Sequence, residues 1–129
     1  MTCKMCLQTQ VFPRRCDPSV DGLRFNMTTL RVLGVDPGSR VTGVGVVEVN
    51  GSGLCHIHSE SIRVGDGDLG LRLAGIYSGV TTVIDEHMPE EMALEEVFLS
   101  KNPRAALILG HARGSAFLAG VHRNRVIAE

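Results

Sequence analysis

The apolar positions of this chain follow two different periods, and the change between them separates predicted strands from predicted helices. Before residue 65, short β-branched runs alternate with polar or small residues and are bounded by Gly, Pro and Asn turns. They predict three strands, the second and third joined as a hairpin by Asn50-Gly51-Ser52-Gly53. These predicted strands are Leu30–Asp36, Val41–Val49 and Leu54–Val64.

After residue 68, apolar residues recur every three or four positions, which is typical of amphipathic helices. Asp68 is a suitable cap for a first helix that ends near His87. Asn102, followed by a proline, predicts the start of a second helix that runs to about His122.

Two further strands are predicted around the second helix. Glu91–Glu95 is predicted to return beside the first strand in parallel, with the first helix as the right-handed crossover. Arg125–Ala128 is predicted as the fifth strand. The pattern by itself therefore predicts an α/β fold with a mixed sheet.

Two of the predicted strands end on an acid. Asp36 is followed by a Pro-Gly turn, and Glu95 ends the predicted parallel strand. Carboxylates at neighbouring strand ends suit Mg²⁺, which prefers oxygen ligands. We choose Glu95 over Glu96 because alternation turns Glu96 to the opposite face. Asp-Pro-Gly alone is more typical of a structural turn with an exposed acid.

Three blocks in this chain together resemble the RuvC-type Holliday junction resolvases, the crossover junction endodeoxyribonucleases. They are Leu33–Val46, then Glu95–Phe98 with Lys101-Asn102, and then Leu109–Gly114. Their order and spacing match the family, and the similarity runs from about Leu30 to Glu129. The resemblance implies a ribonuclease H-like mixed sheet with flanking helices.

The resemblance also implies an activity, which is Mg²⁺-dependent hydrolysis of phosphodiester bonds in four-way junction DNA during recombination and repair. It gives Asp36 and Glu95 catalytic, metal-binding roles and makes Phe98, Lys101 and Arg113 DNA contacts. Each DNA contact has an alternative, because Phe98 could belong to the core, Lys101 could be a solvated charge and Arg113 could serve structure.

RuvC-type enzymes act as symmetric pairs and work with a branch-migration helicase, so the resemblance implies a homodimer and such a motor as partners. Gly110 and Gly114 lie one turn apart on the second predicted helix and would admit another backbone closely. The alternative is that these glycines pack on the sheet.

The chain departs from the family near its carboxyl end. The family has a further acidic pair on a late helix, preceded by basic residues, and neither has a counterpart here. Residues 27–129 carry nine Lys or Arg against twelve Asp or Glu, a formal charge of −3, whereas DNA binding favours a basic face. We therefore expect a partial RuvC-type domain over residues 27–129, with its C-terminal part missing. The alternative is a catalytically inactive N-terminal fragment that at most dimerises or binds junction DNA.

Residues 1–26 differ from the remainder of the 129-residue chain because they are polar and show no sustained period. We expect a disordered extension or a mis-assigned start there. Cys3 and Cys6 could form half of a zinc site with Cys16 as a third ligand, but a fourth ligand is missing. No apolar signal core is present in this segment, so we expect a cytoplasmic protein.

Two weaker motifs complete the sequence analysis. His56 and His58 are predicted to share one strand face, where they could form a ligand pair or simply face water. Gly34-Val35-Asp36-Pro37-Gly38 also resembles the first phosphate loop of actin-like ATPases. Because the second Asp-Gly loop of those enzymes is absent, the nuclease hypothesis is favoured.

Overall fold

A five-stranded mixed sheet forms the centre of the molecule, with strand order β3-β2-β1-β4-β5. The computed structural model describes residues 29–51, 53–96 and 101–129. β1, β2 and β3 are antiparallel neighbours, whereas β4 and β5 run parallel to β1 and β4 respectively. The strands are β1 Leu30–Asp36, β2 Val41–Asn50, β3 Gly53–Arg63, β4 Glu91–Leu94 and β5 Val126–Ala128.

The two predicted helices are present with the predicted caps. α1 spans Leu69–His87, and the Asp68 carboxylate accepts hydrogen bonds from two main-chain N–H groups of its first turn. α2 spans Pro103–His122, and the Asn102 side chain caps it in the same way. The side-chain caps satisfy main-chain donors that have no partner within the helix. Among the described residues, no helix has the length and apolar character needed to cross a bilayer.

The core lies on one face of the sheet, between the strands and both helices. Alternate residues of the central strands point towards α1 and α2, as period-two alternation requires. The buried strand residues are Leu33, Val35, Val44, Val46, Met92 and Leu94. The buried helix residues are Ile76, Val80, Val83, Ile84, Ala112, Ala116 and Ala119. This arrangement confirms the mixed α/β sheet and the ribonuclease H-like fold that the resemblance implied.

The C-terminal end of α2 is fixed to α1 by a bidentate ion pair. Arg123 donates to both carboxylate oxygens of Asp85, at 2.7 and 2.9 Å. These hydrogen bonds hold the pKa of the Asp85 carboxyl below its ordinary value, and the positive charges of Arg123 and Arg125 act in the same direction. The pair therefore helps to set the position of α2 relative to α1.

A bulge in β3 overturns the prediction that His56 and His58 share a face. The register shifts between Val46 and Val47, so that His58 pairs with Val46 but His56 pairs with Val47. Since adjacent residues of β2 point to opposite faces, the two histidines do so as well. His58 stacks on His87 at the end of α1, whereas His56 is hydrogen-bonded to Ser59. The two histidines therefore do not form a ligand pair.

Candidate active site

Asp36 is the last residue of β1, at the point where the chain turns sharply out of the sheet. Pro37 is buried, and the next turn residue, Gly38, lies against the following strand. A Cβ atom on Gly38 would lie 2.1 Å from the Val41 carbonyl oxygen, a distance that no side chain could occupy. The buried Thr42 hydroxyl donates to the Gly38 carbonyl at 3.0 Å and accepts from its N–H at 3.3 Å. The turn after Asp36 is thus held by side-chain and main-chain contacts.

Glu95 lies beside Asp36 because β4 runs parallel to β1. Val35 and Leu94 are paired residues, and the Glu95 N–H donates to the Val35 carbonyl at 3.0 Å. The next position on each strand therefore brings Asp36 and Glu95 side by side, on strands about 4.8 Å apart. Val35 and Leu94 face the core, so alternation directs both carboxylates to the face that the helices leave uncovered.

The space beside Asp36 is kept open by a glycine. Gly43 is the partner of Asp36 on β2, and a Cβ atom there would lie 3.7 Å from the Asp36 Cβ. Any longer side chain would extend along the Asp36 carboxylate. Asp36 is half-buried and Glu95 is exposed, which gives a hydrated cation access to both.

These two carboxylates fit one Mg²⁺ ion better than a pair of ions. Mg²⁺ commonly binds one or two protein carboxylates and keeps several waters, which substrate phosphate oxygens can replace. Within residues 29–51, 53–96 and 101–129, no three His, Cys, Asp or Glu side chains are grouped closely enough to hold a metal. A second ion would therefore need ligands beyond those that the described part of the chain provides.

The predicted DNA contacts have different positions. Phe98 lies outside the described residues, as do Cys3, Cys6, Cys16 and the predicted extension over residues 1–26. Lys101 is exposed immediately before the cap of α2. Arg113, on α2, is bonded within the protein, since its Nε donates to the Glu95 carbonyl at 3.3 Å and its Nη2 to the Glu129 carboxylate at 2.8 Å.

Sequence reasoning did not identify two residues that bond to the turn after Asp36, Thr42 and Arg72. Thr42 could have been identified from the sequence, because it is a polar residue at a position that alternates with the buried Val44 and Val46 of β2. Arg72 donates to the Ser39 carbonyl at 2.9 Å. No local pattern marks it, because its acceptor is 33 residues away.

Comparison with known proteins gives one consistent family. The family model for "Crossover junction endodeoxyribonuclease RuvC" matches residues 32–129. The protein of that name from Pelobacter propionicus is 50% identical over 101 residues, covering 78% of this chain and 57% of the relative. Its namesake from Burkholderia cenocepacia is 45% identical over 100 residues, covering 78% and 56%. The chain thus spans somewhat over half the length of these curated relatives.

Solved structures agree with the sequence comparison. A structure of T. thermophilus RuvC in complex with Holliday junction substrate superposes with a TM-score of 0.70 and 26% identity, covering 76% of this chain and 62% of that chain. A second Thermus thermophilus RuvC structure gives a TM-score of 0.69 and 28% identity, covering 76% and 61%.

Proposed function

This chain belongs to the RuvC family of crossover junction endodeoxyribonucleases, and we propose that residues 27–129 supply the nuclease site of a Mg²⁺-dependent enzyme that resolves Holliday junctions by phosphodiester hydrolysis. The observation that carries the proposal is the parallel register of Val35 with Leu94, from which Asp36 and Glu95 follow at adjacent strand ends. The proposal includes a cytoplasmic location, expected from the sequence of residues 1–26, and a branch-migration helicase as partner, implied by the family resemblance.

The roles of the residues follow from their positions. Asp36 and Glu95 would hold the ion on the uncovered sheet face, with Gly43 leaving room for a phosphate. When bound, Mg²⁺ polarises the phosphodiester and stabilises the charge that develops on its oxygens. The exposed Lys101 would contact a backbone phosphate. For Phe98, which lies outside the described residues, the family resemblance supports stacking on an unpaired base at the junction centre, a contact of about 1–3 kcal/mol.

A second candidate function is junction binding or dimerisation without catalysis. It is favoured by the number of acids, since the described residues give the site two carboxylates and no third ligand. The formal charge of −3 over residues 27–129 also opposes tight DNA binding. Both functions use the same DNA contacts, so a cleavage assay separates them.

The test is cleavage of a labelled synthetic four-way junction by the purified chain with and without Mg²⁺. We expect paired, symmetric nicks that require Mg²⁺ and that Asp36→Asn and Glu95→Gln both abolish, because each variant removes an anionic oxygen ligand. Glu96→Gln is the matched control, since it removes the same charge from the adjacent residue, and it should keep at least half of the activity.

The outcomes separate the two functions. If nicks persist in Glu95→Gln but vanish in Glu96→Gln, then Glu96 and not Glu95 is the metal ligand, and the assignment made above is wrong. A folded chain that binds the junction in a gel-shift assay, yet leaves it intact in Mg²⁺, would establish the non-catalytic function and refute the enzyme proposal.

We further propose that α2 forms the homodimer contact. An open groove of about 800 Å³ lies between α1 and α2, and the outer side of α2 exposes Leu107, Leu118 and Val121 by 64, 50 and 44%. Gly110 and Gly114 border the groove, and a Cβ on either would meet no atom of the described residues within 4 Å. The described part of one chain therefore does not pack against these glycines, which favours contact with a second copy.

Replacing Gly110 and Gly114 together with alanine tests this contact. Each substitution should stabilise the isolated helix by about 1 kcal/mol, because glycine is a poor helix former. The same methyl groups should weaken dimerisation by separating two closely packed backbones. Sedimentation equilibrium and thermal unfolding would measure the two effects. If the variant dimerises as tightly as the parent chain, α2 is not the contact.

A further inference from the structure

At or just after each acidic strand end, a main-chain carbonyl accepts a hydrogen bond from an arginine of the helix layer. Arg72 of α1 donates from Nη1 to the Ser39 carbonyl at 2.9 Å. Arg113 of α2 donates from Nε to the Glu95 carbonyl at 3.3 Å. The two helices thus contact the chain on either side of the proposed metal site.

Arg72 holds the turn that leads away from Asp36. Ser39 follows the tight approach of Gly38 to Val41, so its carbonyl lies in the segment that sets the direction of the chain after Asp36. Arg72 is half-buried, and its Nε is buried with no acceptor among the described residues. Burying part of a guanidinium in this way is unfavourable unless its remaining bonds are well formed. The hydrogen bond from Arg72 Nη1 to the Ser39 carbonyl offsets part of this cost.

Arg113 holds the main chain at Glu95. On one side, the Glu95 N–H is bonded to Val35 of β1 at 3.0 Å. On the other, its carbonyl accepts from Arg113, whose guanidinium is fixed at 2.8 Å by the Glu129 carboxylate and is 22% exposed. A planar guanidinium can serve both acceptors at once, which the single ammonium of lysine does less well.

Such support matters because the sheet ladder ends at these two residues. β1 ends at Asp36 and β4 ends at Leu94, so the described chain just beyond them is positioned by individual hydrogen bonds and not by continued pairing of these two strands. Two carboxylates side by side also repel one another before a cation binds. A small shift of either backbone would change the separation of the oxygens that the metal requires.

We propose that Arg72 and Arg113 are positioning residues that hold Asp36 and Glu95 at metal-binding separation through the main chain. This inference rests on the proposed function. It also gives Arg113 a role other than the direct DNA contact that the family resemblance implied.

Amide hydrogen exchange tests the structural half of the inference without activity. Arg113→Gln should lower the protection of the Glu95 amide about tenfold, the change expected when a bond to a charged donor is lost, and should leave the Gly38 amide unchanged. Arg72→Gln should do the reverse. Each variant is therefore the control for the other. Equal loss at both amides would mean general destabilisation and would refute specific positioning, as would no loss at either.

Mn²⁺ affinity and cleavage kinetics test the functional half. Both glutamine variants should weaken Mn²⁺ binding, followed by electron paramagnetic resonance, by about tenfold or more. They should lower kcat while leaving the KM for the junction within about twofold, because a positioning residue does not contact the substrate. Arg72→Lys should recover part of the loss, since an ammonium can still donate to the Ser39 carbonyl.

The two proposals fail in different ways. If the parent chain binds no Mn²⁺ and cuts no junction, the proposed function fails, and the exchange pattern still decides whether the arginines fix the strand ends. If Arg113→Gln raises the KM while Mn²⁺ binding and the Glu95 amide are unchanged, Arg113 is a DNA contact and the inference is wrong.

Discussion

Replacing Gly38 with alanine is expected to destabilise the folded chain by about 3 kcal/mol and to weaken Mn²⁺ binding at Asp36. The added Cβ would lie 2.1 Å from the Val41 carbonyl oxygen. Because that atom belongs to the main chain, the turn itself must move, and overpacking of this kind costs about 1–3 kcal/mol or more. The movement would also separate Thr42 from both of its bonds to Gly38. Urea unfolding and Mn²⁺ titration would measure the two effects.

Gly67→Ala is the matched control for this prediction. A Cβ on Gly67 would meet no atom within 4 Å in the described part of the chain, so the stability of this variant should change by less than about 0.5 kcal/mol. If Gly38→Ala unfolds at the same urea concentration as the parent chain and binds Mn²⁺ equally well, then the turn does not define the position of Asp36.

Leu33→Ala is expected to lower the free energy of unfolding by about 2–5 kcal/mol, which is the cost of deleting buried methyl groups and leaving a cavity. Leu33 is fully buried in β1, at the centre of the sheet, between Val46 of β2 and Met92 of β4. The helices cover the face of the sheet on which Leu33 lies, so the surrounding side chains can fill the cavity left by the substitution only in part. Thermal and urea unfolding followed by circular dichroism would give the change.

Leu71→Ala provides the comparison for Leu33. Leu71 lies on α1 and is 74% exposed, and alanine is at least as good a helix former as leucine. Its substitution should therefore change stability by less than about 0.5 kcal/mol. Similar losses from the two variants would mean that the core does not lie on the face occupied by Leu33.

The exchange of a leucine and a glycine for alanine tests different features of the same strand. Leu33→Ala tests the face of β1 that packs against the helices. Gly38→Ala tests the turn that follows Asp36 at the end of β1. A large effect of both would show that β1 is fixed at its centre by burial and at its end by main-chain proximity.

Local sequence patterns were enough to predict every element of the sheet and both helices, and to place their ends to within one residue. Asp68 and Asn102 cap the helices as predicted, because a cap needs only a short polar side chain within reach of the next few N–H groups. The strand before Asp36 ends at its Pro-Gly turn for an equally local reason. The observed ends of β2, β3, β4 and β5 differ from the predicted ends by one residue. At these ends, the last residue of the strand depends on hydrogen bonding to a neighbouring strand.

Other features depended on contacts between distant parts of the chain. The β3 bulge separates His56 from His58, although strict alternation would put them on one face. Arg72 and Arg113 bond to carbonyls 33 and 18 residues away. No local pattern encodes such partners, because they are brought together only when the helices pack on the sheet.

The candidate site combines both kinds of information. Alternation and turn chemistry identified Asp36 and Glu95 as acids at strand ends, which is a property of each segment alone. That they lie side by side was decided by the parallel register of Val35 with Leu94. A shift of one residue would turn the core side chains of β4 to the opposite face, so burial of Met92 and Leu94 fixes the register and, with it, the position of Glu95 beside Asp36.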